Sequence, residues 1–166
     1  MAAEVDTVAE VPVAIVGAGP AGLMLAHLLG RAGVDTVAID TRTRLEIEST
    51  QRAGILEADA ARDLIETGVS DRILRDGDEH EGIEVRFGGR AHRIDFKELV
   101  GESVWLYPQT DVFIDLADAR ERDGGTVHFG ISGTEVHDIE TDAPRMRWTA
   151  PDGTRHEVRA RYVVGA

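Results

Sequence analysis

The segment Gly17-Ala18-Gly19-Pro20-Ala21-Gly22 constrains this chain most, because it joins two stretches of opposite periodicity. Before it, Pro12-Val-Ala-Ile-Val16 is a short apolar run, the pattern of a strand buried on both faces of a parallel sheet. After it, Pro20 to Gly33 reads as a helix whose broad apolar face carries Leu23, Leu25, Ala26, Leu28 and Leu29, with Gly33 at the C-terminal cap position. Asp35-Thr-Val-Ala-Ile-Asp40 is then a second strand. A strand, a GxGxxG turn, a helix and a strand within about thirty residues open a doubly wound α/β fold. In that setting Gly17 permits the tight turn, Gly19 lets a pyrophosphate approach the backbone, and Gly22 lets the helix lie close to the sheet. The anion is met by backbone N–H groups and the positive end of the helix dipole. Asp40 stands where a carboxylate accepts hydrogen bonds from an adenosine ribose and would repel a 2′-phosphate, which selects FAD or NAD over NADP in this site.

Composition narrows the partners. The 166 residues include 18 Lys+Arg against 31 Asp+Glu, a net charge of −13, and no cysteine. Disulfide scaffolds, zinc-thiolate sites, iron–sulfur clusters and thiol catalysis are excluded. A strongly acidic chain lacks the positive field that nucleic acid requires, so no nucleic-acid partner is expected. No apolar run is long enough for a membrane span, and Met1 to Glu10 has no basic region of a targeting signal. A cytoplasmic protein is expected.

Residues 1–10 read as a flexible tail, and 11–166 as one α/β domain. Thr41 to Gln51 is polar and non-periodic. A second helix is expected from Arg52 to Thr67, with Ile55, Leu56, Ala60, Leu64 and Ile65 inward, and Asp76 to Glu81 reads as an acidic turn. Glu84 to Phe87 and Arg90 to Phe96 flank Gly88-Gly89 as a β-hairpin. Gln109 to Asp123 is a third amphipathic helix with Val112, Ile114, Leu116 and Ala119 inward. Beyond it come short strands at 126–129, 134–139, 146–149 and 156–161, and a separate apolar strand from Tyr162. The histidines show no metal-ligand spacing, and Trp105 and Tyr107 are expected to pack near the core.

The fingerprint alone leaves FAD and NAD open. Arg52-Ala-Gly-Ile-Leu-Glu57, Gly68-Val-Ser-Asp71, Glu79-His-Glu-Gly82 and Leu106-Tyr-Pro-Gln-Thr-Asp111 follow it in one order. Together these segments resemble the class A flavoprotein aromatic hydroxylases, from Val11 to Ala166. The resemblance implies a Rossmann-like FAD-binding βαβ unit with an inserted β-hairpin and an antiparallel β segment. It implies FAD as cofactor, NADH or NADPH as co-substrate, an aromatic substrate with O2, and a possible homodimer of the full-length enzyme. By the same resemblance the backbone at Ala21 meets the pyrophosphate and Asp40 holds the ribose. Thr50, Gln51, Arg52, Ala53, Gly54 and Ile55 run past the flavin and its phosphates, and Gln109 contacts FAD from its helix start. Glu46 and Glu48, with Thr50 where the family often carries an arginine, lean toward NADH. The family's Asp-Gly motif and substrate pocket are expected beyond Ala166, making 11–166 the N-terminal portion of an FAD-binding domain with no catalytic residue of its own. Two alternatives are another FAD-dependent oxidoreductase and a non-catalytic dinucleotide-binding module.

Overall fold

A computed structural model of the protein describes residues 5–166. The elements run β1 (Thr7–Val16), α1 (Pro20–Arg31), β2 (Thr36–Asp40), α2 (Arg44–Glu48), β3 (Ile55–Glu57), α3 (Ala58–Glu66), α4 (Ile73–Asp76) and β4 (Asp78–His80). They continue with β5 (Gly82–Phe87), β6 (Arg90–Asp95), α5 (Phe96–Val100), β7 (Val104–Leu106), α6 (Gln109–Arg122), β8 (Thr126–Phe129), β9 (Ser132–His137), β10 (Arg145–Thr149) and β11 (Arg155–Gly165).

The main sheet has strand order β8-β2-β1-β11-β10-β9. Its β8, β2, β1 and β11 are parallel neighbours, and β10 and β9 add antiparallel. Alternation along β1 and β2 divides the core. Val13, Ile15 and Ala38 face a helical layer that includes Leu23, Leu64, Phe113 and Leu116. Ala14, Val37 and Ile39 face Met146, Trp148, Val158 and Ala160 from β10 and β11. The sheet therefore curls back over itself. Four strand spacings separate β8 from β10, roughly 19 Å in a flat sheet, yet the rings of His128 and Trp148 lie 5.2 Å apart.

Several expectations are corrected. Residues 1–4 of the expected tail lie outside the described residues, and Thr7 to Glu10 belong to β1, paired in register with His156 to Arg159. Pro12 fits inside that strand because β2 pairs only from Val13 onward, so one flank is free where the N–H is missing. The expected helix at Arg52 begins at Ala58, and Ile55 sits in β3 with its side chain 67% exposed. Ala61, Leu64 and Ile65, not Ala60, turn α3 inward. Asp78 to His80 form a strand in the small sheet β3-β7-β4, where a turn was expected. Tyr162 does not open a new strand but continues β11. The hairpin and the long helix α6 stand as expected, and Tyr107 is fully buried.

Candidate functional site

The GxGxxG turn links β1 to α1 as its sequence requires. Gly17 adopts φ +109°, and its N–H donates to the Ile39 carbonyl at 2.8 Å, tying the turn to β2. A Cβ on Gly17 would meet the Ala166 carbonyl oxygen at 2.0 Å, and one on Gly22 the Gly17 carbonyl oxygen at 2.0 Å. Gly19 differs: a Cβ there meets nothing within 4 Å. It is the N-cap of α1, has no capping side chain, and is followed by Pro20. The first N–H groups of α1, Ala21 among them, are thus left to an outside acceptor. This is the cradle an anionic diphosphate needs, and it fits FAD.

Asp40 ends β2 and is 7% exposed. Oδ2 accepts from the Ala18 N–H at 3.2 Å and from Arg42 Nη2 at 3.2 Å. Oδ1 accepts from the Arg42 N–H at 2.9 Å and from Arg42 Nε at 3.2 Å. All four acceptor directions of the carboxylate are used, so a ribose would take the place of the Arg42 guanidinium. Arg42 joins the candidate site through Asp40 and the cleft lining, a place the expected site residues did not include, although an arginine two residues past the carboxylate is a visible signal.

Arg42, Thr50, Arg52 and Gln109 line one cleft with Pro20 and Phe113. Backbone contacts set this convergence. The Tyr107 N–H donates to the Gly54 carbonyl at 3.2 Å, and a Cβ on Gly54 would lie 2.0 Å from the Tyr107 carbonyl oxygen. The Thr110 hydroxyl donates to the Thr50 carbonyl at 3.0 Å. Arg52 makes no ion pair among the described residues and is exposed. Two helix starts, α1 and α6, thus share a cleft with two guanidiniums. Gln51, Ala53 and Ile55 are exposed and outside the cleft lining.

The Tyr107 hydroxyl donates to Asp115 Oδ2 at 2.7 Å, and Arg72 Nε donates to Asp115 Oδ1 at 2.9 Å. Burial, then the Asp115 carboxylate, pushes the Tyr107 phenol far above its ordinary value of 10.0, so the hydroxyl keeps its proton. The acidic residues expected to favour NADH are engaged elsewhere. Glu46 closes a capping box with Thr43, and Glu48 pairs with Arg44 at 2.6 Å. A wider depression of about 710 Å³ lies by Ile139, Asp142, Arg161 and Tyr162, and no fingerprint residue lines it.

Residues 10–166 match the FAD binding domain family, and the chain belongs to it. The resemblance to the N-terminal part of class A flavoprotein aromatic hydroxylases is borne out. The chain is 35% identical over 154 residues to p-hydroxybenzoate hydroxylase from Acinetobacter baylyi, covering 92% of this chain and 38% of that protein. It is 31% identical to a 3-(3-hydroxy-phenyl)propionate/3-hydroxycinnamic acid hydroxylase from Burkholderia cenocepacia, over 93% of this chain and 29% of that protein. Among solved structures, the flavin-dependent monooxygenase PieE, in complex with FAD and substrate, superposes with TM-score 0.73 at 26% identity, covering 98% of this chain and 31% of PieE. The p-nitrophenol 4-monooxygenase PnpA from Pseudomonas putida shares the fold, with TM-score 0.74 at 22% identity, covering 96% of this chain and 40% of PnpA. The chain therefore spans well under half the length of the relatives it matches. Among the described residues no helix is long and apolar enough to cross a membrane.

Proposed function

We propose that this chain is the FAD-binding portion of a flavin-dependent monooxygenase that hydroxylates a phenolic acid such as 4-hydroxybenzoate, with NAD(P)H as reductant and O2 as oxygen donor. The observation that carries this reading is the cleft itself: Pro20, the first residue of α1 after the uncapped Gly19, lines the same space as Arg42, Arg52 and Gln109. FAD, when bound, supplies the electron transfer and oxygen chemistry, while the protein supplies position and charge. In this reading the N–H groups at Ala21 and Gly22 hold the pyrophosphate, and Asp40 takes the ribose hydroxyls as Arg42 turns toward the phosphates. Arg52 provides a fixed positive charge and Gln109 an amide at the flavin side. The identity to p-hydroxybenzoate hydroxylase supports the substrate class.

Titration of the purified chain with FAD, followed by flavin fluorescence, tests the binding. Saturable binding at micromolar FAD is expected, weakened roughly tenfold or more by Arg52→Ala, a loss of about 1.4 kcal/mol or more. Absence of binding favours the non-catalytic module without FAD. NAD(P)H consumption by the whole protein, compared with 4-hydroxybenzoate and with 3-(3-hydroxyphenyl)propionate, tests the substrate. Stimulation by neither compound would overturn the phenolic-acid reading.

A further inference from the structure

At the end of α1 remote from Gly19, a cavity of about 340 Å³ opens where the C-terminal ends of α1, α3 and α6 meet. Its walls carry His27, Arg31, Arg120 and Arg122 against a single carboxylate, Asp123. In a chain of net charge −13 this is a local reversal of sign. Part of the cluster serves the helix ends. Arg31 Nη1 donates to the Thr67 carbonyl at 2.5 Å, His27 Nε2 to the same carbonyl at 3.0 Å, and Arg122 Nη2 to the Gly68 carbonyl at 3.0 Å. Such contacts compensate the negative ends of the helix dipoles.

Arg120 is not accounted for in this way. Its side chain is 5% exposed and forms no ion pair among the described residues. Nη1 donates to the Ala26 carbonyl at 3.2 Å and Nη2 to the Thr36 hydroxyl at 3.0 Å, while Nε has no partner. The guanidinium occupies the space over Gly125, where a Cβ would lie 2.0 Å from its central carbon. Asp123 is already committed to Arg122 at 2.9 Å and lies 3.6 Å from His27 Nδ1. A buried guanidinium without a counter-charge is costly, and three guanidiniums around one cavity repel one another. Burial lowers the Arg120 pKa from its ordinary value, and the nearby Asp123 carboxylate offsets this only in part.

We propose that this cavity is a binding site for a tetrahedral oxyanion, a phosphate dianion or the phosphate of a monoester. Three guanidiniums less the Asp123 carboxylate leave a formal excess of positive charge; Arg31 and Arg122 also offset the negative helix ends, and the remaining excess, centred on the buried Arg120, favours an anion. Arg31 and Arg120 retain unpaired guanidinium N–H groups that suit phosphate oxygens, while Arg122, whose three nitrogens all donate to Asp123, Val69 and Gly68, adds charge. The dinucleotide cleft lies at the opposite end of α1, so the two sites are separate.

Isothermal titration calorimetry with inorganic phosphate, at constant ionic strength and with FAD saturating, tests this. A saturable isotherm is expected, and Arg31→Gln and Arg122→Gln should each weaken it roughly tenfold or more while leaving FAD affinity unchanged. These two side chains are exposed, so the variants keep the fold that the buried Arg120→Gln could lose. The two variants, and not the FAD block, locate the site, so its failure is distinguishable from failure of the FAD reading. Glycerol phosphate binding more tightly than inorganic phosphate supports the site with a monoester as its source, and the reverse order supports it with free phosphate. No saturable binding, or binding unaltered in both variants, overturns the proposal.

Discussion

At Gly19 a side chain has room in the protein and would crowd only a group laid on the helix start, as the proposed pyrophosphate would be, whereas at Gly17 the protein itself leaves no room. Gly17 combines φ +109° with a Cβ position 2.0 Å from the Ala166 carbonyl oxygen. Gly17→Ala is therefore expected to destabilise the fold by about 2 kcal/mol or more, seen in urea unfolding without ligand. Gly19→Ala, at an uncapped position with φ −73°, should leave unfolding within about 1 kcal/mol of the parent while weakening FAD tenfold or more. Equal loss of stability in both variants, or unchanged FAD affinity in Gly19→Ala, would show that the fingerprint serves only the turn. Asp40 was legible from its spacing after Gly17, but its saturation by Ala18 and Arg42 was not. Spacing places a carboxylate on a strand end and says nothing of which donors already hold it.

The β10–β11 pair shows how a charged element can be interior. Glu157 is 4% exposed, and Oε2 accepts from Arg147 Nε at 2.7 Å, with Arg159 Nε 3.4 Å from Oε1. Burial alone would raise its pKa, but the arginines, Arg147 foremost, hold it below the ordinary value of 4.5. The sign follows from proton counting: the unfolded chain binds a proton more readily than the folded one, so this contribution is present above pH 4.5 and is lost as pH falls through the folded pKa. Glu157→Gln should cost about 1 to 3 kcal/mol at pH 7 and flatten the acid limb of stability against pH, measured by urea melts. An acid limb identical to the parent's would remove Glu157 from acid unfolding. Elements like this mark where the sequence stops being readable. Periodicity reports side-chain burial, so the helix-covered β1, α1, β2 and α6 stood out. Thr7 to Glu10 and Asp78 to His80 are exposed and held by backbone pairing, which leaves no apolar pattern. For α2 the signal was present in Thr43 and Glu46, spaced as a capping box, and was overlooked because the helix is only five residues long.

At the scale of the whole molecule, the charge of −13 and the two cationic clusters act over different distances. FAD carries its charge on a diphosphate, so its approach from afar is opposed by the acidic surface. Arg42 and Arg52 attract only within a Debye length, about 8 Å at physiological ionic strength. Salt screens the long-range repulsion more than the contacts within the cleft, which are short and partly shielded from solvent. The association rate of FAD should therefore rise as NaCl is increased from about 20 to about 200 mM, the reverse of the behaviour of a basic nucleotide-binding protein. Stopped-flow flavin fluorescence reads this directly, and the dissociation rate should change less than the association rate. An association rate that falls with salt would mean that the arginine-lined cleft dominates steering and that the net charge is irrelevant to encounter. Arg42→Gln and Arg52→Gln in the same experiment separate the two fields: each should lower the rate at every salt concentration while preserving its upward slope.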